Sequence, residues 1–195
     1  VDVMPRMAPE GMTGEFAIVQ AARVSYGAGT KQINEDRGLI RYLARHHHTT
    51  PFEMVEFKFH HVMPIFVARQ WIRHRTANVN ERSARYSIVP DRFYRPSIEN
   101  VRKQSTTNRQ GGDEPIDALT AQEFLAHLDQ VEKEYADYER LMAKGVSREL
   151  ARIALPVSVY TEWYWKCDLH NIFHFLSLRM DAHAQQEIRD YATAM

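Results

Sequence analysis

Arg73-His74-Arg75-Thr76-Ala77-Asn78-Val79-Asn80-Glu81-Arg82-Ser83-Ala84-Arg85-Tyr86 is the stretch on which the reading of this chain turns. It sets four arginines and a histidine close together, with Asn78, Asn80, Ser83 and Tyr86 between them. Arginine is always charged and presents a planar fork that grips phosphate at two points. Each charge-assisted hydrogen bond is worth roughly 1.5–3 kcal/mol. Glu81 can orient an arginine or accept from a ribose hydroxyl, and Ser83 offers a hydroxyl to a phosphate or a base edge. By residue type alone two readings stay equally open: an anion- and nucleotide-binding loop, or an arginine–glutamate network on the surface.

The surroundings tilt the balance. From Arg69 to Arg109 there are ten basic residues against three acids, an excess of seven, in a chain whose 25 basic and 25 acidic residues cancel. Acid is concentrated elsewhere, notably from Glu123 to Glu139. Charge runs are usually solvated faces, but here planar and hydrogen-bonding side chains are interleaved with the charge, as a nucleotide ligand needs. The 195 residues suffice for one domain with a sizeable core and are short for two. The single cysteine, Cys167, excludes an internal disulfide and fits a reducing cytoplasm. No run of about 18 apolar residues predicts a membrane span. Val1-Asp2-Val3-Met4-Pro5 has no signal-peptide pattern, and the missing initial methionine suggests a domain trimmed at both ends.

Hydrophobic spacing predicts a helix over 13–26 carrying Phe16, Val19 and Ala22 inward, ended by the Gly27–Gly29 region. A second spans 35–47 with Leu39, Ile40 and Leu43 on one face and Arg37, Arg41 and Arg45 on the other. Thr49-Thr50-Pro51 should break it. Residues 54–61 alternate as a half-buried strand, and Pro64 can open a helix leading into the arginine-rich stretch. Lys103 to Glu114 reads as loop. A long acidic helix is expected over 118–144, stopped by Gly145, with Leu125, Leu128, Val131 and Tyr135 inward. Ser147 can cap a short helix through Ala154, and residues 157–165 alternate as a second strand. Asp168 can cap a helix carrying His170, His174 and Leu178, and Asp181 the next one. Strands and helices do not alternate regularly, and no glycine-rich phosphate fingerprint follows a strand. The fold class is therefore α+β, not a dinucleotide-binding α/β fold.

The motif resembles that of the flavin-dependent thymidylate synthases: Arg-His-Arg, seven residues, then Ser, extended by Asn80-Glu81 and Arg85-Tyr86. Similarity extends to His48-Thr49-Thr50-Pro51-Phe52-Glu53, Ala68-Arg69-Gln70-Trp71 and the block Arg148-Glu149-Leu150-Ala151-Arg152 with Leu155-Pro156. Asp168-Leu169-His170-Asn171 through His174, Leu178-Arg179 and Asp181-Ala182-His183-Ala184-Gln185 complete it. It runs from about residue 1 to the end, with 98–120 unplaced.

That resemblance implies a single domain over 1–195, with a mixed or antiparallel sheet flanked by helices and assembled as a homotetramer. It implies synthesis of dTMP from dUMP, with methylenetetrahydrofolate as carbon donor and FAD, reduced by NADPH, as hydride carrier. Carried over residue by residue, Gln70, Arg73, Glu81, Arg82, Ser83, Ala84, Arg85, Arg152 and Arg179 fall on dUMP-binding positions. Thr50, Arg73, His74, Arg75, Glu81, Asp168, His170 and His174 fall on flavin-contacting positions. Arg179 matches the catalytic arginine that stabilises the ionised uracil ring: a fixed cation beside a ring nitrogen lowers its pKa. Other branches carry asparagine or arginine where this chain has Asp168, His170 and His174. No metal, membrane or nucleic-acid partner is implied, and the location is cytoplasmic.

Sharper readings of single residues compete with these. Ser83 as a nucleophile needs an adjacent base, and His74 lies nine residues away. Cys167 as a nucleophile would follow the unrelated cysteine-dependent thymidylate synthases, but it sits beside Asp168, whose charge disfavours a thiolate. His170 and His174 share a helix face, yet the glutamate of zinc hydrolase motifs is replaced by Asn171. A nucleic-acid module built on the basic stretch would explain its arginines and aromatics but not the strict spacing or the distant Arg152 and Arg179.

Overall fold

Two nine-residue strands form the spine of a computed structural model, which describes residues 2–3, 13–24 and 33–195. In chain order the elements are β1 (Asp2–Val3), α1 (Gly14–Arg23), α2 (Ile33–Arg45), α3 (Thr50–Glu53), β2 (Glu56–Pro64), α4 (Ile65–Trp71) and β3 (Asn78–Glu81). Then come β4 (Arg102–Gln104), β5 (Gly112–Pro115), α5 (Ala118–Glu132), α6 (Glu134–Ala143), α7 (Arg148–Ala151), β6 (Tyr160–Asp168), α8 (Leu169–Arg179) and α9 (Gln186–Ala194). β2 and β6 pair antiparallel along their whole length, from Glu56 opposite Asp168 to Pro64 opposite Tyr160. β3 adds to the other edge of β6 and β1 to the other edge of β2, giving the order β1-β2-β6-β3. Every pairing is antiparallel, so the sheet is antiparallel and not mixed.

The alternation read in the sequence explains which face is buried. Along β6, Thr161, Trp163, Trp165 and Cys167 point inward, while Tyr164 is exposed. Phe59 and Met63 of β2 join them, and α4, α8 and α9 bring Trp71, Phe175 and Ile188 onto the same face. Trp71 is fully buried and stacks on Phe175 with ring centres 4.5 Å apart. Each such aromatic removes enough surface from water to contribute roughly 4 kcal/mol or more of gross transfer free energy. This core fixes both ends of α4 and α8, the two helices that carry the site. A second cluster joins Ile18, Leu43, Phe52 and Val55, so α1, α2 and α3 pack together.

Several boundaries differ from the sequence reading. The α1 helix is capped by Thr13, whose hydroxyl accepts from Phe16 N at 3.2 Å; Gly27–Gly29 lie outside the described residues. Pro51 does not simply break the chain: it sits in the first turn of α3, where its missing N–H costs nothing. The 157–165 strand is shifted to 160–168, because Val157 and Ser158 lie before the β2–β6 ladder begins. The expected 118–144 helix is two helices parted at Lys133. No glycine or proline marks the break. Beyond it Tyr135 donates to Val89 O at 2.7 Å and Tyr138 accepts from Val89 N at 3.2 Å, which ties α6 to a segment distant in sequence. Gly145 ends α6 at φ +92°, where a Cβ would be strained. Lys103 to Glu114 is not only loop. It folds as the β4–β5 ribbon around a polar turn in which Ser105 Oγ accepts from Asn108 N at 2.9 Å. Asp181 caps no helix; it accepts from His183 N at 2.8 Å and closes a turn, and α9 begins only at Gln186. Among the described residues no helix is long and apolar enough to cross a membrane.

Candidate active site

The arginine-rich stretch begins where α4 ends. His74 N donates to Trp71 O at 2.9 Å, so the turn is tied to the core tryptophan. The His74 ring meets Phe175 edge-on at 4.9 Å, and its Nε2 accepts from Arg179 Nε at 2.9 Å. Arg179 is the last residue of α8. Burial, then the Arg179 charge, then His174 push the His74 pKa down to about 4. The imidazole is therefore neutral near pH 7. Burial also lowers the pKa of Arg179, in keeping with a guanidinium partly stripped of water. Charge in such a place interacts more strongly with a ligand than charge in bulk water. Gln70 and Arg179 line one cavity of about 360 Å³, together with Ser177, Asp181 and His183. Gln70 Oε1 is itself buried and has no hydrogen-bond partner among the described residues.

Arg73 and Arg75 flank His74, and both side chains are exposed. Among the described residues no ion pair or hydrogen bond engages either guanidinium. Two permanently charged forks side by side fit a pyrophosphate.

β3 then carries the chain to Glu81, which accepts from Thr161 Oγ1 at 2.6 Å. Arg82 donates to Ser87 Oγ at 3.1 Å and Ile88 O at 3.2 Å, and lies 3.8 Å from Glu162. It is spent on holding the turn. Ser83 Oγ accepts from Arg85 N at 3.3 Å; among the described residues no imidazole hydrogen-bonds it, so nothing makes it a nucleophile. Ala84 packs against the Val89–Tyr135 cluster. Arg85 lies over Tyr86 and lines a second cavity of about 850 Å³, with Met142 and Arg148. Arg152 follows α7 on a short 3-10 turn, its Nε 3.5 Å from Glu149 O.

The remaining sequence candidates gather on α8. Asp168 caps the helix, accepting from Asn171 N at 2.9 Å and Asn171 Nδ2 at 2.7 Å. His170 and His174 follow on α8. Thr50 opens α3, whose Phe52 meets Phe173 of α8 edge-on. Among the described residues no three histidines, cysteines or acids cluster as a metal would need. Cys167 is 3 % exposed and donates from Sγ to Thr76 O at 3.2 Å. Burial, then the Asp168 charge, push its pKa up to about 12.

One functional candidate escaped the sequence reading. Arg148 donates from Nη1 to Tyr86 O at 3.0 Å, fastening the Ser83–Tyr86 turn to the helix that leads to Arg152. Its only signal in the sequence was membership of the Arg148–Arg152 block. The predicted nucleotide residues thus fall in two groups. Gln70 and Arg179 line one cavity and Arg85 another.

An antiparallel α+β scaffold offering uncommitted guanidiniums and, among the described residues, no activated nucleophile belongs to the ligand-positioning class of site, suited to a planar anionic molecule. The chain belongs to the thymidylate synthase complementing protein family, whose family model matches residues 10–195. It is 72% identical over 195 residues to a flavin-dependent thymidylate synthase of Dictyostelium discoideum, covering 100% of this chain and 64% of that protein. It is 59% identical over 185 residues to the Wolbachia pipientis wMel flavin-dependent thymidylate synthase, covering 94% and 65%. The chain therefore spans just under two thirds of the length of these relatives. Among solved structures, the UMP/dUMP methylase PolB from Streptomyces cacaoi bound with 5-Br dUMP superposes with a TM-score of 0.85. Its sequence is 34% identical, and the match covers 100% of this chain and 86% of that one.

Proposed function

We propose that this chain is a domain of a flavin-dependent thymidylate synthase that makes dTMP from dUMP, with methylenetetrahydrofolate as carbon donor and NADPH as reductant. The observation that carries the reading is Arg179, whose Nε is held by His74 Nε2 at 2.9 Å and which shares one cavity with Gln70. A uracil ring that has lost its N3 proton to solvent offers an anion for Arg179, and Gln70 in the same cavity offers its amide to a ring carbonyl. A fixed cation there lowers the N3 pKa and leaves carbon 5 more nucleophilic. Bound FAD, once reduced, supplies the hydride that completes the methyl group. Arg73, with Arg75, would hold its pyrophosphate, while Thr50, His74, Glu81, Asp168, His170 and His174 contact its rings and ribose. Ser83, Ala84 and Arg85, with Glu81, Arg82 and Arg152 behind them, hold the nucleotide phosphate and sugar. No enzyme nucleophile takes part.

A homotetramer with sites shared between subunits fits the geometry. Arg85 and Arg179 line different cavities of one chain, an arrangement in keeping with a site that a second chain completes. Leu119, Leu150, Ile153 and Val157 are each more than half exposed, apolar surface that a neighbour would cover.

The test is dTMP formation from dUMP, methylenetetrahydrofolate, FAD and NADPH. Wild type should turn over, and Arg179→Ala should lose about 100-fold or more in kcat. An Arg179→Ala enzyme as active as wild type would refute the assignment. Tight, salt-sensitive DNA binding without any flavin would replace it by the nucleic-acid reading.

A further inference from the structure

We propose that His74 is the positioning residue for Arg179, holding the guanidinium in its working rotamer by accepting its Nε–H. The inference rests on the proposed thymidylate synthase reading for its consequence, but on the hydrogen bond itself for its substance. Arginine has five N–H donors in a rigid fork. With Nε tied to His74 Nε2 at 2.9 Å, the guanidinium is held in one orientation, and among the described residues no hydrogen bond takes up its terminal nitrogens. A neutral imidazole has one donor and one acceptor. Since Nε2 accepts, the proton sits on Nδ1. His74 is then free to contact a flavin only as a donor through Nδ1.

The ring that does this is itself held. Phe175 meets it edge-on at 4.9 Å and stacks on Trp71 at 4.5 Å, and Trp71 O accepts from His74 N. Arg179 thus takes its position from the aromatic core through one imidazole. Protonation would destroy the acceptor and set two cations against each other, which agrees with the depressed pKa of His74.

Two variants separate this from a purely structural or flavin-binding role. His74→Phe keeps a ring against Phe175 and removes the acceptor. His74→Gln supplies an amide oxygen that can accept from Arg179. In the full-length protein loaded with FAD, His74→Phe should lower kcat about 10- to 100-fold, the worth of one charge-assisted hydrogen bond. Compared at equal flavin occupancy, KM for dUMP should change by less than about threefold, and His74→Gln should recover most of the loss. A His74→Phe enzyme within about twofold of wild type at equal flavin occupancy, or a loss that His74→Gln does not recover, overturns the proposal. NMR of protein carrying isotope-labelled histidine reads the bond without turnover. The signal that vanishes in His74→Gln should be a neutral ring protonated at Nδ1; one protonated at Nε2 overturns the proposal even if no variant folds well. A wild type that makes no dTMP but shows the Nδ1 tautomer would fell the functional reading and leave the bond intact.

Discussion

Replacing Cys167 by Ala should leave catalysis nearly intact, which is the opposite of what a cysteine-dependent thymidylate synthase would show. The thiol is buried, lies beside Asp168 and has its pKa pushed up to about 12. At about pH 8 that leaves on the order of one thiolate in ten thousand, too few to attack a pyrimidine. What the sulfur does contribute is packing behind the arginine-rich turn and a hydrogen bond to Thr76 O. Deleting it should cost about 1–2 kcal/mol, comparable to losing a buried methyl group with a weak bond. For a domain of this size that lowers Tm by roughly 2–8 °C. The assay is dTMP formation with saturating dUMP, methylenetetrahydrofolate, NADPH and FAD, alongside a thermal melt. Predicted kcat is within about threefold of wild type, with Cys167→Ser closer still because it keeps a donor toward Thr76. A loss of about 1,000-fold with melting and flavin content unchanged would refute the reasoning.

Three further outcomes are expected. Arg148→Ala removes the bond to Tyr86 O from an exposed position; KM for dUMP should rise about 5- to 10-fold with kcat and Tm nearly unchanged, and a fall in kcat alone would contradict the turn-fastening role. His61 is fully buried and burial lowers its pKa from the ordinary 6.5 to about 3. Below pH 6.5 the unfolded chain takes up a proton that the native state refuses, so stability falls with pH until about pH 3. By about pH 5 the loss should reach roughly 2 kcal/mol in urea titrations, and His61→Gln should flatten it. His74 adds a loss in the same direction down to about pH 4. Flavin occupancy should drop on dilution of the protein; full occupancy in a demonstrated monomer would rule out the shared site.

Where local chemistry dominates, the sequence was legible. Thr13 and Asp168 cap their helices as their side chains dictate, Gly145 ends α6, and the alternation through Trp163 and Trp165 lies on the buried face. Legibility stopped where distant residues decide. Past the break at Lys133, Tyr135 and Tyr138 reach Val89, contacts 46 and 49 residues apart. The β4–β5 ribbon is stitched by its own polar turn, with no hydrophobic alternation to announce it. In the site, the motif gave the residue types, but the bond between His74 and Arg179 spans 105 positions, and no pattern within the motif encodes it. The same holds for Arg148 and Tyr86.

If this scaffold positions a flavin and a uracil nucleotide together, the visible spectrum of the purified protein should register both. Flavin bands should bleach under NADPH and shift when dUMP is added, with the dUMP-induced shift lost in Arg179→Ala. A colourless protein that takes up no FAD, or flavin bands indifferent to dUMP, would contradict that joint placement.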